Sequence, residues 1–140
     1  MPSNIPNPFA KMRFEVPEDY RYQLQDHCGQ KKNPFVKQFD LFILAAAIGA
    51  KENKKTDIAN LEMYGFAEGV YLSSAQYEML WLISTIHDDV ALADLTNARA
   101  VKTVCESYAA TGLRKIHGWL NKGTLEIPEK IAKGILKEID

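Results

Sequence analysis

The sequence predicts a mainly α protein, a compact bundle of five or six helices around an apolar central helix, with one short strand near the N-terminus. Three observations carry this expectation. Apolar residues recur at spacings of three and four over most of the chain from residue 73 onward. Leu41 to Ala50 forms the longest apolar stretch, the mark of a helix covered on all sides. Ser73-Ser74-Ala75-Gln76 has the form of a reciprocal capping box, with Ser three residues before Gln. A chain of 140 residues, 46% of them apolar, buries roughly 70% of its unfolded surface, enough for one core. The expected organisation is a flexible arm over residues 1–10 and a single helical domain over 11–140.

Each element has a local reason. The arm holds Pro2, Pro6 and Pro8, which resist both helix and sheet. Met12 to Val16 alternates apolar and charged side chains at the period of a half-buried strand, although no partner strand is evident. Pro17 opens a helix expected over 17–28, with Glu18 and Asp19 beside the positive end of its dipole and Gly29 as its stop. The central helix spans Phe35 to Gly49, amphipathic at first and apolar all round afterwards. Its three alanines present a smooth face, and Gly49 suits a left-handed C-cap. Lys51 to Asp57 reads as a solvated loop, and the stretch to Leu72 as irregular, because Gly65 and Gly69 break any period. The helix after Ser73 carries Met79, Leu80, Leu82, Ile83 and Ile86 as its buried stripe and ends near His87. Asp94 or Thr96 caps a further helix through Tyr108 and Ala109, which Gly112 interrupts before Leu113 to Leu120 resumes the period. A last helix runs from Pro128 with Ile131, Ile135 and Ile139 on one face.

Composition narrows the function classes. Seventeen Lys and Arg against 18 Asp and Glu give a net charge of -1, which leaves no chain-wide field for a polyanion. The balance is local: Lys31, Lys32, Lys37, Lys51, Lys54 and Lys55 against Asp40 and Glu52 make +4 around the central helix and leave -5 elsewhere. A phosphate-backbone contact would therefore map to Lys31, Lys32, Lys51, Lys54 or Lys55. Nothing in residues 1–10 resembles a signal-peptide core, and no apolar run approaches the roughly 20 residues of a membrane span, so a cytoplasmic protein without membrane contact is expected. Cys28 and Cys105, without a CxxC or paired His, read as free thiols.

No HExxH, GxGxxG, GxxxxGK or nucleophile elbow is present, so no cofactor, metal site or catalytic residue is expected. His27 and Cys28 are adjacent and would point about 100° apart on a helix. His87-Asp88-Asp89 is the one cluster with metal-ligand chemistry, the basis for a metal-dependent nuclease reading that competes with a solvated turn. The aromatics, from Phe14 and Tyr20 to Trp119, exceed what one small core requires. That surplus is what an interface, including one with a second copy of the chain, would use.

Several segments occur in a familiar order. Asn33-Pro34-Phe35 leads into Phe39-Asp40-Leu41-Phe42-Ile43-Leu44-Ala45-Ala46-Ala47-Ile48-Gly49 and then the basic Lys51 to Lys55. Tyr77 to Ile86 follows, and Glu106-Ser107-Tyr108-Ala109-Ala110-Thr111-Gly112 completes the series. Over residues 30 to 120 this resembles the dnd system-associated protein 4 family, with its Pro-Phe, its helix ending Ala-Ala-x-x-Gly, and its Glu-x-Tyr-Ala-x-x-Gly signature. Ser107 stands where that signature usually carries a second acid. The resemblance marks Phe35, Gly49, Glu106, Tyr108 and Gly112. It implies a role beside bacterial DNA phosphorothioation and anti-phage defence operons, with their other proteins as partners and no catalytic residue to carry over. Read as residues alone, Glu106 caps or pairs locally, Tyr108 packs, and Gly112 permits close approach or a kink.

Overall fold

The computed structural model describes residues 7–28, 37–87, 89–91, 97–121 and 127–139. Among them are two strands, β1 (Arg13–Pro17) and β2 (Met63–Glu68), and five helices: α1 (Arg21–Asp26), α2 (Gln38–Lys51), α3 (Ser74–Thr85), α4 (Ala98–Leu120) and α5 (Ile127–Ile139). The fold is mainly α, as expected, with α2 at its centre and α4 as its most extensive neighbour.

The partner of the N-terminal strand lies where an irregular segment was expected. β2 pairs antiparallel with β1, in register Arg13↔Glu68 and Phe14↔Ala67 at one end and Glu15↔Gly65 and Val16↔Tyr64 at the other. The register shift leaves Phe66 as an extra residue, a bulge that breaks alternation in β2 and turns this ring into the core. The Phe39 and Phe42 rings meet it at 5.3 and 5.4 Å, and both also pack on Phe14, at 5.4 and 5.5 Å. Phe9 closes this cluster at 5.7 Å from Phe14 and is fully buried. Of the arm expected over residues 1–10, its end is thus anchored in the core, and residues 1–6 lie outside the described residues. Much of the aromatic surplus is core.

The helix expected over 17–28 is a 3-10 turn at Glu18–Tyr20 followed by the short α1. At the end of α2, Gly49 is not the left-handed cap. The helix continues to Lys51, and Asn53 takes the left-handed conformation with φ 53°. Lys54 N–H donates to Gly49 O and Asn53 N–H to Ala50 O, the two bonds of a Schellman motif. The capping box at α3 forms as read: Gln76 N–H donates to Ser73 Oγ at 3.2 Å and Ser73 N–H to Gln76 Oε1 at 2.9 Å. Asn97 caps α4 by accepting from Ala100 N–H; Asp94 and Thr96, expected as caps, lie outside the described residues. Of the stripe expected to be buried on α3, Leu80 and Ile83 face the core, while Met79, Leu82 and Ile86 are exposed.

Gly112 does not interrupt α4, which is continuous from Ala98 to Leu120. Gly49 and Gly112 instead form a reciprocal seam between α2 and α4. A Cβ at Gly49 would overlap the Tyr108 backbone, and one at Gly112 would overlap the Ala45 backbone. The alanine face read from the sequence is thus half of a glycine–alanine contact that brings two backbones together.

Candidate functional site

The signature residues of α4 each reach a different element. Glu106 is only 4% exposed. Its Oε2 accepts the Glu15 backbone N–H of β1 at 2.7 Å, and its Oε1 pairs with Lys102 Nζ one turn earlier at 3.0 Å. It therefore accepts a backbone N–H of the strand and fastens β1 to α4. Burial raises the Glu106 pKa, while the Lys102 ammonium and the Glu15 N–H hold that rise back.

Tyr108 is fully buried, and its hydroxyl donates to Asp89 Oδ2. Asp89 Oδ1 pairs with Lys55 Nζ at 2.5 Å. Burial would raise the Asp89 pKa, but the bonds from Lys55 and Tyr108 and the nearby His87 hold it below the usual carboxylate range. The Tyr108 hydroxyl is pushed up, by burial first and then by the Asp89 carboxylate. This tyrosine is a protonated donor at neutral pH. One carboxylate thus ties the loop after α2, the segment after α3 and α4 together. The loop is tied again by Thr56 N–H to Ser107 O at 3.0 Å and Thr56 Oγ1 to Thr111 Oγ1 at 2.8 Å.

Two members of the run with metal-ligand chemistry are bonded within the fold. Asp89 is engaged by Lys55 and Tyr108, His87 Nε2 bonds Ala50 O at 2.6 Å, and Asp88 lies outside the described residues. Among the described residues no group of three or more His, Cys, Asp or Glu could hold a metal ion. Lys51 and Lys54 are exposed, Lys55 is held by Asp89, and Lys31, Lys32 and Phe35 lie outside the described residues.

Both thiols are buried. Burial pushes Cys28 up to about 12 and raises Cys105 as well, so neither is a nucleophile at neutral pH. A thiol reagent at pH 8 is expected to label neither cysteine in the folded chain and both in denaturant; rapid labelling of the native protein would contradict this placement.

A histidine–tyrosine cluster, absent from the sequence reading, joins α1 to α4. Asn121 Nδ2 donates to His117 Nε2 at 3.0 Å, which leaves His117 Nδ1–H to donate to the Tyr22 hydroxyl at 2.5 Å. His27 stacks edge-on to Tyr22 at 5.8 Å, and its buried Nδ1 has no hydrogen-bond partner. Burial lowers the His27 pKa against the opposing pull of Asp26. The unfolded chain therefore binds a proton near pH 6.5 that the folded chain refuses, and stability falls as pH drops through that value. Denaturant midpoints at pH 7.5 and 5.5 should differ more for the wild type than for His27→Gln; an equal difference would contradict the assignment.

Two of the surface clefts are lined by the described residues. One, of about 530 Å³, has Phe39 and Phe66 in its floor with Arg13, Lys37 and Tyr71 at its rim. Arg13 is already committed, donating to Gly65 O at 3.0 Å. The other, of about 400 Å³, lies between Glu18, Asp19, Glu62 and Arg114. Neither is lined by Glu106, Tyr108 or Gly112. No helix among the described residues is long and apolar enough to cross a membrane.

A family model described as DNA sulphur modification system-associated protein 4 matches residues 13–140. No curated protein and no solved structure matches the chain.

Proposed function

Because the chain belongs to the DNA sulphur modification system-associated protein 4 family, we propose that it is a non-catalytic accessory or adaptor of such a system, and of the anti-phage defence built on it, acting in the cytoplasm through protein contacts. The observation that carries this reading is the use made of its chemically capable groups. Glu106, Asp89, Tyr108 and His87 are each spent on bonds that join elements of the fold, and the thiols are buried and protonated. A group held this way supplies stability and shape rather than acid–base chemistry. The partners are other proteins of the modification operon, and a second copy of the chain. The test is a pull-down with the tagged chain from cells carrying the system: recovery of a modification protein supports the role, and recovery of none counts against it.

Direct DNA contact is the second reading, supported by the exposed Lys51 and Lys54. Two phosphate contacts give a slope of log affinity against log salt of about -2, and adding Lys31 and Lys32 raises it to about -3.6. A gel-shift series from low to physiological salt measures this slope. The absence of binding at low salt ends the DNA reading and leaves the protein-contact reading in place.

A further inference from the structure

The last helix sits apart from the core that holds the rest of the described chain. α5 packs against α4 and against no other element to a comparable extent. Lys130 Nζ donates to Leu120 O at 2.8 Å and Glu138 pairs with Lys115, so α5 runs back antiparallel along the end of α4. The side it turns to α4 carries Ile131, Gly134, Ile135 and Glu138, at i, i+3, i+4 and i+7. Ile131 is only 4% exposed, yet it lies outside the contiguous cluster that makes up the core. Gly134 rests directly on the Trp119 indole, where a Cβ would stand 2.1–2.4 Å from three ring atoms. The helix has little hold of its own: it is short, carries a glycine in its interior, and sets Lys133 and Lys137 at i and i+4. It is a helix because it is docked.

We propose that this face of α4 is a helix-binding seat with α5 as its resident occupant, and that an amphipathic helix of a partner protein displaces α5 and takes its place. The resident shows which helix fits. An apolar side chain stands three residues before a glycine whose backbone lies on Trp119. A carboxylate four residues after that glycine meets the Lys115 ammonium, and a lysine four residues before it meets the Leu120 carbonyl at the end of α4, where the helix dipole favours positive charge. A partner helix with the same apolar spacing, small residue and charges is complementary to the seat in the same way. Lys115 also pairs with Glu52 of the loop after α2, so the ammonium keeps a partner whichever helix supplies the second carboxylate. The chain's own α5 is held at an effective concentration on the order of mM, so a foreign helix prevails only when its protein adds further contacts. On the adaptor reading given above, on which this assignment rests, the seat is the surface that meets the partner.

Hydrogen exchange on the full chain should show the α5 amides opening together, at least about 10-fold faster than those of α4, because docking alone protects them. A labelled peptide of Ile127–Ile139 serves as the probe for the seat. It should bind a full-length Gly134→Leu chain at about 0.1–1 mM and the wild type at least about 10-fold more weakly, because only in the variant is the seat released by its resident. Leucine is a good helix former that cannot rest on Trp119, so the variant loses docking without losing helix propensity. The same peptide carrying Gly134→Leu should bind neither chain. Amides of α5 protected as well as those of α4, a wild-type peptide that binds both chains equally or neither, or a Gly134→Leu chain that no longer folds overturns the proposal and leaves the accessory role standing. In co-elution at limiting concentration, the Gly134→Leu chain should retain at least about 10-fold more of a modification protein than the wild type does. Equal or weaker retention overturns the seat alone, whereas retention by neither chain contradicts the accessory role and the seat with it.

Discussion

Gly112→Ala should destabilise the protein by about 2 kcal/mol, even though alanine is the better helix former. Replacing glycine within a helix gains about 1 kcal/mol in propensity. Against this, the new Cβ would overlap the Ala45 carbonyl and Cα, which are backbone atoms of α2 and cannot rotate away. The two helices must separate, and overpacking of this kind costs up to about 3 kcal/mol. Thermal unfolding should fall by roughly 6–8 °C for a chain of this length. Gly49→Ala meets the Tyr108 backbone in the same seam and should act alike, while the double variant should not fold stably. Alanine at position 112 with an unchanged or raised midpoint would show that the seam is looser than described.

Glu106→Ala carries the second large effect, a loss of about 3 kcal/mol. The substitution leaves the largely buried Lys102 ammonium without its carboxylate and the Glu15 N–H without an acceptor. Removing one partner of a buried pair costs about 3–5 kcal/mol, and the partial exposure of Lys102 places this case at the lower end. Glu106→Gln keeps an acceptor for Glu15 and should cost about half as much, whereas Lys102→Met removes the charge that needs pairing but leaves the carboxylate buried. Urea midpoints in the order wild type, Gln, Ala would support the clamp between β1 and α4. Equal midpoints for Gln and Ala would assign the effect to charge alone.

Much of the fold is legible in the sequence because its signals are local. The Ser73–Gln76 capping box lies within one turn, and the apolar run of α2 needs no distant partner to be recognised as central. β2 was illegible for a physical reason: its pairing with β1 is non-local, and the Phe66 bulge removes the alternation that marks a strand. Gly112 read as a break because glycine is costly in an isolated helix, and only the Ala45 backbone across the seam explains its use. The outward face of α3 read as core because spacing alone cannot say which side of a doubly apolar helix is covered.

The candidate site divides in the same way. Glu106, Tyr108 and Gly112 stand out as a motif, but their roles depend on Glu15, Asp89 and Ala45, at distances along the chain that no periodicity reports. The His87-Asp88-Asp89 run looked like ligand chemistry. Two of its members are instead bonded within the fold, Asp89 to Tyr108 and Lys55 and His87 to Ala50 O, contacts invisible until the chain is folded. The Tyr22–His117 pair had no signal at all, since its members lie on different helices, 95 residues apart.

The account as a whole rests on the chain working by contact with the proteins of a DNA sulphur modification system. Its most direct test is co-expression of the tagged chain with the modification proteins of its own operon, followed by size-exclusion chromatography at physiological salt with nuclease added. The account predicts that at least one modification protein co-elutes with the chain at fixed stoichiometry and remains bound after the nucleic acid is destroyed. Elution of the chain apart from all of them would contradict it.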